Sequence, residues 1–317
     1  MQHWDAYWKC GFVTSFGNAF SDNYEGAFLD FWHSTFSSLP KKSNVLDIAT
    51  GNASLPLIGI NISHDLQLEH TFTGTDLASV DVSLIESKLQ DLPDYTKDAF
   101  NILPGVCSTK LPFADQSFDC VTSQYGFEYS NQAKTIEQIS RVCKVDGEVV
   151  LVTHHAESVI LQRNNKTIQL LNKILSNSGL LSIITKLVKQ LGDGAPLHDD
   201  KSEKLRNKLN QKIRSLEAED KTSYFDTNVQ DLISGLFQKG SGLPAKTKLA
   251  KIEEFKIEAR AHLQRLADLK KAALNSKNLE LLEAQAKQAG LVLHSIEELI
   301  GDKNNLLAWI VKFKKVS

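Results

Sequence analysis

Between residues 44 and 155 short apolar runs alternate with polar, helix-compatible stretches, and this rhythm constrains the 317-residue chain more than any other feature. Asn44–Ala49, Thr71–Thr75, Phe118–Ser123 and Glu148–His154 read as strands, with Phe100–Leu103 a weaker candidate. Between the last two strands, Ala133–Val142 places Ile136, Ile139 and Val142 on one helical face. Strands separated by helices over such distances predict an α/β fold with a parallel sheet covered on both faces. From residue 278 the rhythm returns. Leu279–Gly290 reads as a helix stopped by Gly290, followed by strands over Gly290–Ile296 and Leu306–Phe313.

Residues 157–277 differ. They carry helical periodicity and no strong strand signal. Ile168, Leu171 and Ile174–Leu175 make one stripe; Leu180, Ile183–Ile184, Leu187 and Leu191 make a second. Breaks at Gly192–Pro196 and Gly240–Pro244 bracket a polar helix with Leu205, Leu209, Ile213 and Leu216 on one side. Leu249 to Leu269 then mark a long amphipathic helix. Charge divides in the same place: Glu157–Lys277 has a net of +8 and the remainder a net of −10, within a total of −2. Opposite charge on two parts of one chain predicts two structural units. The expected organisation is an aromatic N-terminal segment (1–40), a core (41–156 with 278–317) and an all-α insertion or cap (157–277).

In the first segment Tyr24, Phe28, Phe31–Trp32 and Phe36 predict a helix over Asn23–Phe36. The aromatics before it, Trp4–Phe16, fit either a lid over an organic ligand or ordinary packing. Cys10, Cys107, Cys120 and Cys143 are scattered, with no metal-ligand spacing, so no metal is expected. The start of the chain shows no secretory leader, and no run approaches the ~18 apolar residues of a membrane span. A cytoplasmic protein without a membrane partner is expected. The near-neutral total charge argues against a nucleic-acid partner.

Asn44-Val-Leu-Asp47-Ile-Ala49-Thr-Gly51-Asn52-Ala53 runs a strand into a glycine-bearing turn, the place where an open α/β sheet binds its ligand. It is no P-loop, since no Gly-Lys-Ser/Thr follows, and one glycine is a poor dinucleotide fingerprint. Asp76 ends the second strand, where a carboxylate can accept both hydroxyls of a ribose. These residues resemble motif I and the ribose-holding acid of the class I S-adenosylmethionine-dependent methyltransferases. Leu111-Pro-Phe-Ala-Asp115-Gln-Ser-Phe-Asp119 resembles that family's LPF-x-D-x-SFD signature, and Arg141-Val-Cys-Lys144-Val-Asp-Gly147 its turn before strand five. Leu279–Phe313 resembles its closing helix and hairpin. The resemblance implies a doubly wound, mostly parallel seven-stranded Rossmann-like sheet and S-adenosylmethionine as cofactor. It implies that Asp47 and Gly51 surround the methionine part and that Asp76 holds the ribose, with Ala49, Asn52 and Leu77 as further cofactor-binding residues. Gln124 and Tyr125 fall beside the cofactor. Cys107 stands where many relatives carry an acid near adenine, so that Ser108 and backbone groups are expected to serve. Ala49 and Ala53 replace two of the family's glycines.

Methyl transfer from a sulfonium needs alignment, exclusion of water and, for some acceptors, a base. The polar groups following strands four and five are the candidates: Tyr125, Glu128, His154 and His155. A histidine near neutral pKa at the mouth of a sheet can serve as that base. The leading expectation is methyl transfer to oxygen or nitrogen of a small-molecule acceptor. Its size and charge give the insertion a bulky or acidic acceptor, or a homodimer contact, as alternatives. An RNA- or protein-directed enzyme docking through the basic helices, and a non-catalytic cofactor-binding module, are the competing readings.

Overall fold

The computed structural model describes residues 2–17, 20, 22–90, 98–192 and 199–316. They form two compact units, Met1–Val159 with Lys271–Ser317, and Ile160–Lys270. In chain order the elements are α1 (Gln2–Lys9), α2 (Ala27–Ser38), β1 (Asn44–Ile48), α3 (Ser54–Asp65), β2 (Thr71–Asp76), α4 (Val82–Lys88) and β3 (Phe100–Pro104). Then come β4 (Phe118–Gln124), α5 (Gln132–Val142) and β5 (Cys143–His154). The helical stretch follows: α6 (Val159–Leu175), α7 (Leu180–Leu191), α8 (Asp200–Glu219), α9 (Lys221–Asp226), α10 (Val229–Phe237) and α11 (Ala245–Ala272). The chain closes with α12 (Ser276–Gln288), β6 (Leu291–Gly301) and β7 (Asn305–Lys315).

The seven strands lie in the order β3-β2-β1-β4-β5-β7-β6. The first five run parallel, while β7 is antiparallel to both β5 and β6. The strand alternation sorts side chains to two buried faces. Leu46, Ile48, Val121, Val149, Leu151, Val311 and Phe313 pack with Ile136 and Ile139 of α5 and Leu279 and Leu282 of α12. On the opposite face Phe36 of α2 meets Phe72 edge-on at 5.3 Å. Gly59 of α3 lets the Phe72 ring come so close that a Cβ there would stand 2.2 Å from it. Because β1 has β2 on one side and β4 on the other, the strand order reverses there, and a crevice opens at the carboxyl ends of β1 and β4.

Several sequence boundaries shift for identifiable reasons. The helix expected from Asn23 begins at Ala27, because Gly26 turns the chain with φ 57°. Tyr24 is therefore buried outside the helix. The turn expected at Val145–Gly147 is absorbed into β5, which starts at Cys143 with a bulge opposite Phe118 and Cys120 and carries Asp146 at φ 62°. Two family-like motifs are fastenings. The Arg141 guanidinium donates to the Leu111 and Phe113 carbonyls and to Asp115. Lys144 bonds both oxygens of Asp119, whose Oδ2 also accepts the Asn44 amide.

In the second unit every described element is a helix. Its core gathers Leu171, Ile174, Ile184, Leu187, Leu209, Leu216, Tyr224, Ile252 and Phe255. The stripes on α6, α7, α8 and α11 close on one another here, while α9 and α10 were not anticipated from the stripes. The expected break at Gly192–Pro196 falls largely outside the described residues. Arg163–Asp226 and Lys166–Asp220 tie α6 to α9. No described helix is long and apolar enough to cross a membrane. Among the described residues no group of His, Cys, Asp or Glu could hold a metal ion.

Candidate functional site

The turn after β1 is built against the preferences of its own residues. Ala49 has φ 53°, Gly51 φ 55° and Ala53 φ 63°, three left-handed residues in five. Glycine adopts this region without penalty, whereas alanine costs about 1 kcal/mol or somewhat more. Ala49→Gly is expected to raise stability by up to about 1 kcal/mol, the strain relieved less the added chain entropy. An unchanged or lower melting temperature would count against this account.

The turn is held by its neighbours. Asp76 at the end of β2 accepts the Gly51 amide on Oδ2 at 2.8 Å and the Ala78 amide on Oδ1 at 2.7 Å. Its pKa is raised by burial, with those amides pulling the other way. Asp47 is buried and accepts the Thr122 hydroxyl at 2.9 Å. Burial pushes its pKa up to about 7. No Lys or Arg among the described residues forms a salt bridge with it.

Above the turn lies the N-terminal segment. The Asn52 side chain is fully buried and donates to the Trp8 carbonyl at 2.9 Å and the Phe12 carbonyl at 2.8 Å, while Oδ1 accepts the Asp81 amide. The Trp8 indole covers Gly51 so closely that a Cβ there would stand 2.5 Å from the ring. The ring stacks on Trp4, which meets Tyr129 edge-on. Under this cover remains a cavity of about 30 Å³ lined by Asp47, Ala49, Gln124 and Tyr125 together with Trp8 and Tyr24. Gln124 accepts the Trp32 indole N–H on Oε1, and its buried Nε2 has no hydrogen-bond partner.

A second cluster adjoins Tyr125. Its ring stacks on His154 at 4.0 Å between centroids, and Tyr129 meets the same imidazole edge-on. Glu128 accepts the His154 backbone amide on Oε1 at 2.9 Å, leaving Oε2 buried and unpartnered. Burial pushes the Glu128 pKa up to about 7 and the His154 pKa down to about 3.

Comparison with known proteins gives this geometry its context. Residues 46–151 match the methyltransferase domain family. The matched residues lie within the first unit. Over 109 residues the chain is 30% identical to a demethylmenaquinone methyltransferase of Thermotoga maritima, covering 34% of this chain and 42% of that protein. It is 28% identical over 109 residues to the ubiquinone/menaquinone biosynthesis C-methyltransferase of Geotalea uraniireducens, covering 34% and 44%. The chain thus spans less than half the length of these curated relatives. A solved S-adenosylmethionine-dependent methyltransferase from Aquifex aeolicus aligns over 91% of this chain and 89% of its own, at 13% identity and a TM-score of 0.44.

Within the first unit the candidate residues divide. Asp47, Ala49, Gln124 and Tyr125 share one cavity, and Gly51 is joined to Asp76. Asn52 turns away from it: its amide N–H groups are both used on the N-terminal segment, so its side chain is a clamp. Leu77 is 47% exposed and lines no part of the cavity. The Ser108 hydroxyl pairs with Thr135 and the Cys107 thiol with Thr109. His154 does not have the near-neutral pKa expected of it, because burial without an acidic partner on its ring disfavours the imidazolium. His155 points to the other face of β5. There it stacks on Trp309 at 4.1 Å, accepts the Glu157 amide and lies 3.6 Å from Glu298. Trp32 and Tyr24 are not among the candidate residues, and Trp8 enters only through the lid alternative for Trp4–Phe16. Their roles rest on contacts such as Trp32 to Gln124, across 92 positions of sequence, which no local spacing encodes.

Glu128 makes a titratable contribution to folding. An acid whose folded pKa exceeds its ordinary value of 4.5 stabilises most below that value and loses the benefit as pH rises toward about 7. The span corresponds to roughly 3 kcal/mol at most. Glu128→Gln is expected to flatten the fall in melting temperature between pH 5 and 8. Parallel wild-type and variant profiles would contradict this assignment.

Proposed function

We propose that the protein is a methyltransferase that carries the sulfonium methyl of S-adenosylmethionine to a small-molecule acceptor. The observation that carries this reading is the meeting of Asp47, Gly51 and Asp76 at the strand-order reversal of a methyltransferase domain.

The residues fit the cofactor chemically. The buried, unpartnered Nε2 of Gln124 is a donor suited to a carboxylate, and Asp47 beside it is an acceptor suited to an ammonium. A cationic ligand would complete Asp47, which burial otherwise holds at a pKa of about 7. Asp76 retains lone pairs on both oxygens for ribose hydroxyls while its amide bonds fix its direction. When bound, the cofactor supplies an electrophilic methyl on sulfur that leaves by in-line displacement. The chain's own part is to orient and to exclude water. A cavity of about 30 Å³ holds a water or two, so the N-terminal segment must yield as the cofactor enters and can close again over it.

Of the four catalytic candidates, Glu128 is best suited to take an acceptor's proton, because its pKa is near neutral and Oε2 has no other partner. Tyr125 and His154 form the stacked wall beside it. The named acceptor of the Thermotoga maritima relative, demethylmenaquinone, favours a small organic acceptor, with carbon joining oxygen and nitrogen as the methylated atom.

The test is transfer of labelled methyl from S-adenosylmethionine to a panel of quinols, phenols, amines and carboxylates. Methylated product is expected, with the pH dependence of turnover near 7 flattened in Glu128→Gln. Cofactor binding with no product across the panel would favour a non-catalytic module.

A further inference from the structure

The second unit contains a groove of about 380 Å³, lined only by its own residues. One wall is a face of α7 on which Ser182, Lys186 and Lys189 follow one another at helical spacing. Lys256 and Arg260 of α11 stand on the other, with Glu253. Glu253 is committed to Lys256 at 2.6 Å. Lys186, Lys189 and Arg260 have no salt-bridge partner among the described residues. The hydroxyl of Ser182 and the side-chain amide of Asn177 add neutral polar groups to the lining.

Like charges three or four apart on one helix face repel, and here two such pairs border one groove. Unpaired cations gathered around a concavity disfavour the free protein and favour an anion that can meet several of them together. The unit around them is basic overall, with 20 Lys+Arg against 13 Asp+Glu over residues 160–270, so its long-range field has the same sign.

We propose that this groove is a binding site for a soluble phosphate ester. Three unpaired cations match the charge of a phosphate monoester or diphosphate, and an arginine fork matches its oxygens. The volume exceeds that of a bare phosphate ion and lies in the range of small-molecule pockets. No aromatic side chain lines the groove, so it offers no platform for stacking the bases of a nucleic-acid strand. The site is distinct from the methyltransferase crevice and does not depend on the reading given to that crevice.

The experiment is calorimetric titration of the full-length protein with inorganic pyrophosphate and with a sugar phosphate at low ionic strength. Anionic phospholipid vesicles and single-stranded RNA serve as the other arms. Saturable one-site binding of pyrophosphate or the sugar phosphate is expected. Lys189→Ala and Arg260→Ala should each weaken it by about tenfold, from the loss of a charge-assisted hydrogen bond. Lys208→Ala, at an exposed position of α8 outside the groove, should leave it unchanged. Without ligand the two groove variants should melt no lower than wild type, since each removes a repulsive charge. Absence of saturable binding would overturn the proposal. So would equal binding by the Lys189→Ala/Arg260→Ala double variant, or binding confined to vesicles or RNA.

Discussion

Asp76→Ala is expected to weaken binding of S-adenosylhomocysteine by a hundredfold or more while leaving the sheet intact. The carboxylate does two things. It fixes the Gly51 turn by accepting the Gly51 amide, is itself oriented by the Ala78 amide, and presents its remaining lone pairs to the ribose position. Hydrogen bonds to a charged group are worth roughly 1.5–3 kcal/mol each, so losing two of them costs about 3–6 kcal/mol of binding. That corresponds to a factor of about 10² or above. Asp76→Asn separates the contributions. It keeps one acceptor for the Gly51 amide but lacks the charge, and should bind at an intermediate level. Calorimetry on both variants, with circular dichroism as a check on folding, measures the effect. Wild-type affinity in Asp76→Ala would exclude Asp76 as the ribose acceptor.

The second large effect is on stability. Asn52→Ala removes three hydrogen bonds, one buried and two partly buried, that join the turn to α1, to the chain after it and to the start of α4. At about 1 kcal/mol each, with added cost for any group left unpartnered, the loss is roughly 3–5 kcal/mol. The melting temperature should fall by roughly 5–10 °C or more. Because Trp8 rests on Gly51 beneath that clamp, tryptophan emission should shift to longer wavelength before the global transition. A variant that melts with wild type, with unchanged emission, would show that Asn52 does not hold the segment.

Residues 44–155 declare the sheet because both governing patterns are local. Alternation within each strand sets which side chains meet α5 and α12, and the spacing between strands sets the parallel crossovers. Asp47 and Gly51 follow from the same logic, since they stand at or just beyond the carboxyl end of β1, whereas Gln124 and Tyr125, at the end of β4, are placed by the family resemblance. Other features depend on distant partners. Asn52 sits in the motif, yet its side chain faces the N-terminal segment, a choice made by carbonyls 40 and 44 residues away. His154 and His155 are adjacent in sequence, and the strand's alternation sends them to opposite faces: one between tyrosines, the other onto Trp309. The near-neutral pKa expected of a histidine belongs to Glu128 instead, because burial raises a carboxylic acid and lowers an imidazole. The left-handed alanines are a further case. Sequence marks them as glycine replacements, and only the backbone shows that the glycine conformation is kept.

In the proposed function the crevice at the ends of β1, β2 and β4 is a cofactor site closed by the N-terminal segment. A crystal structure of the protein grown with S-adenosylhomocysteine tests it most directly. The ligand's ribose is expected on Asp76, its amino-acid end between Asp47 and Gln124, and the Trp8 ring displaced from Gly51. Ligand density elsewhere on the molecule, or an unaltered Trp8 over an empty crevice at saturating ligand, would contradict it.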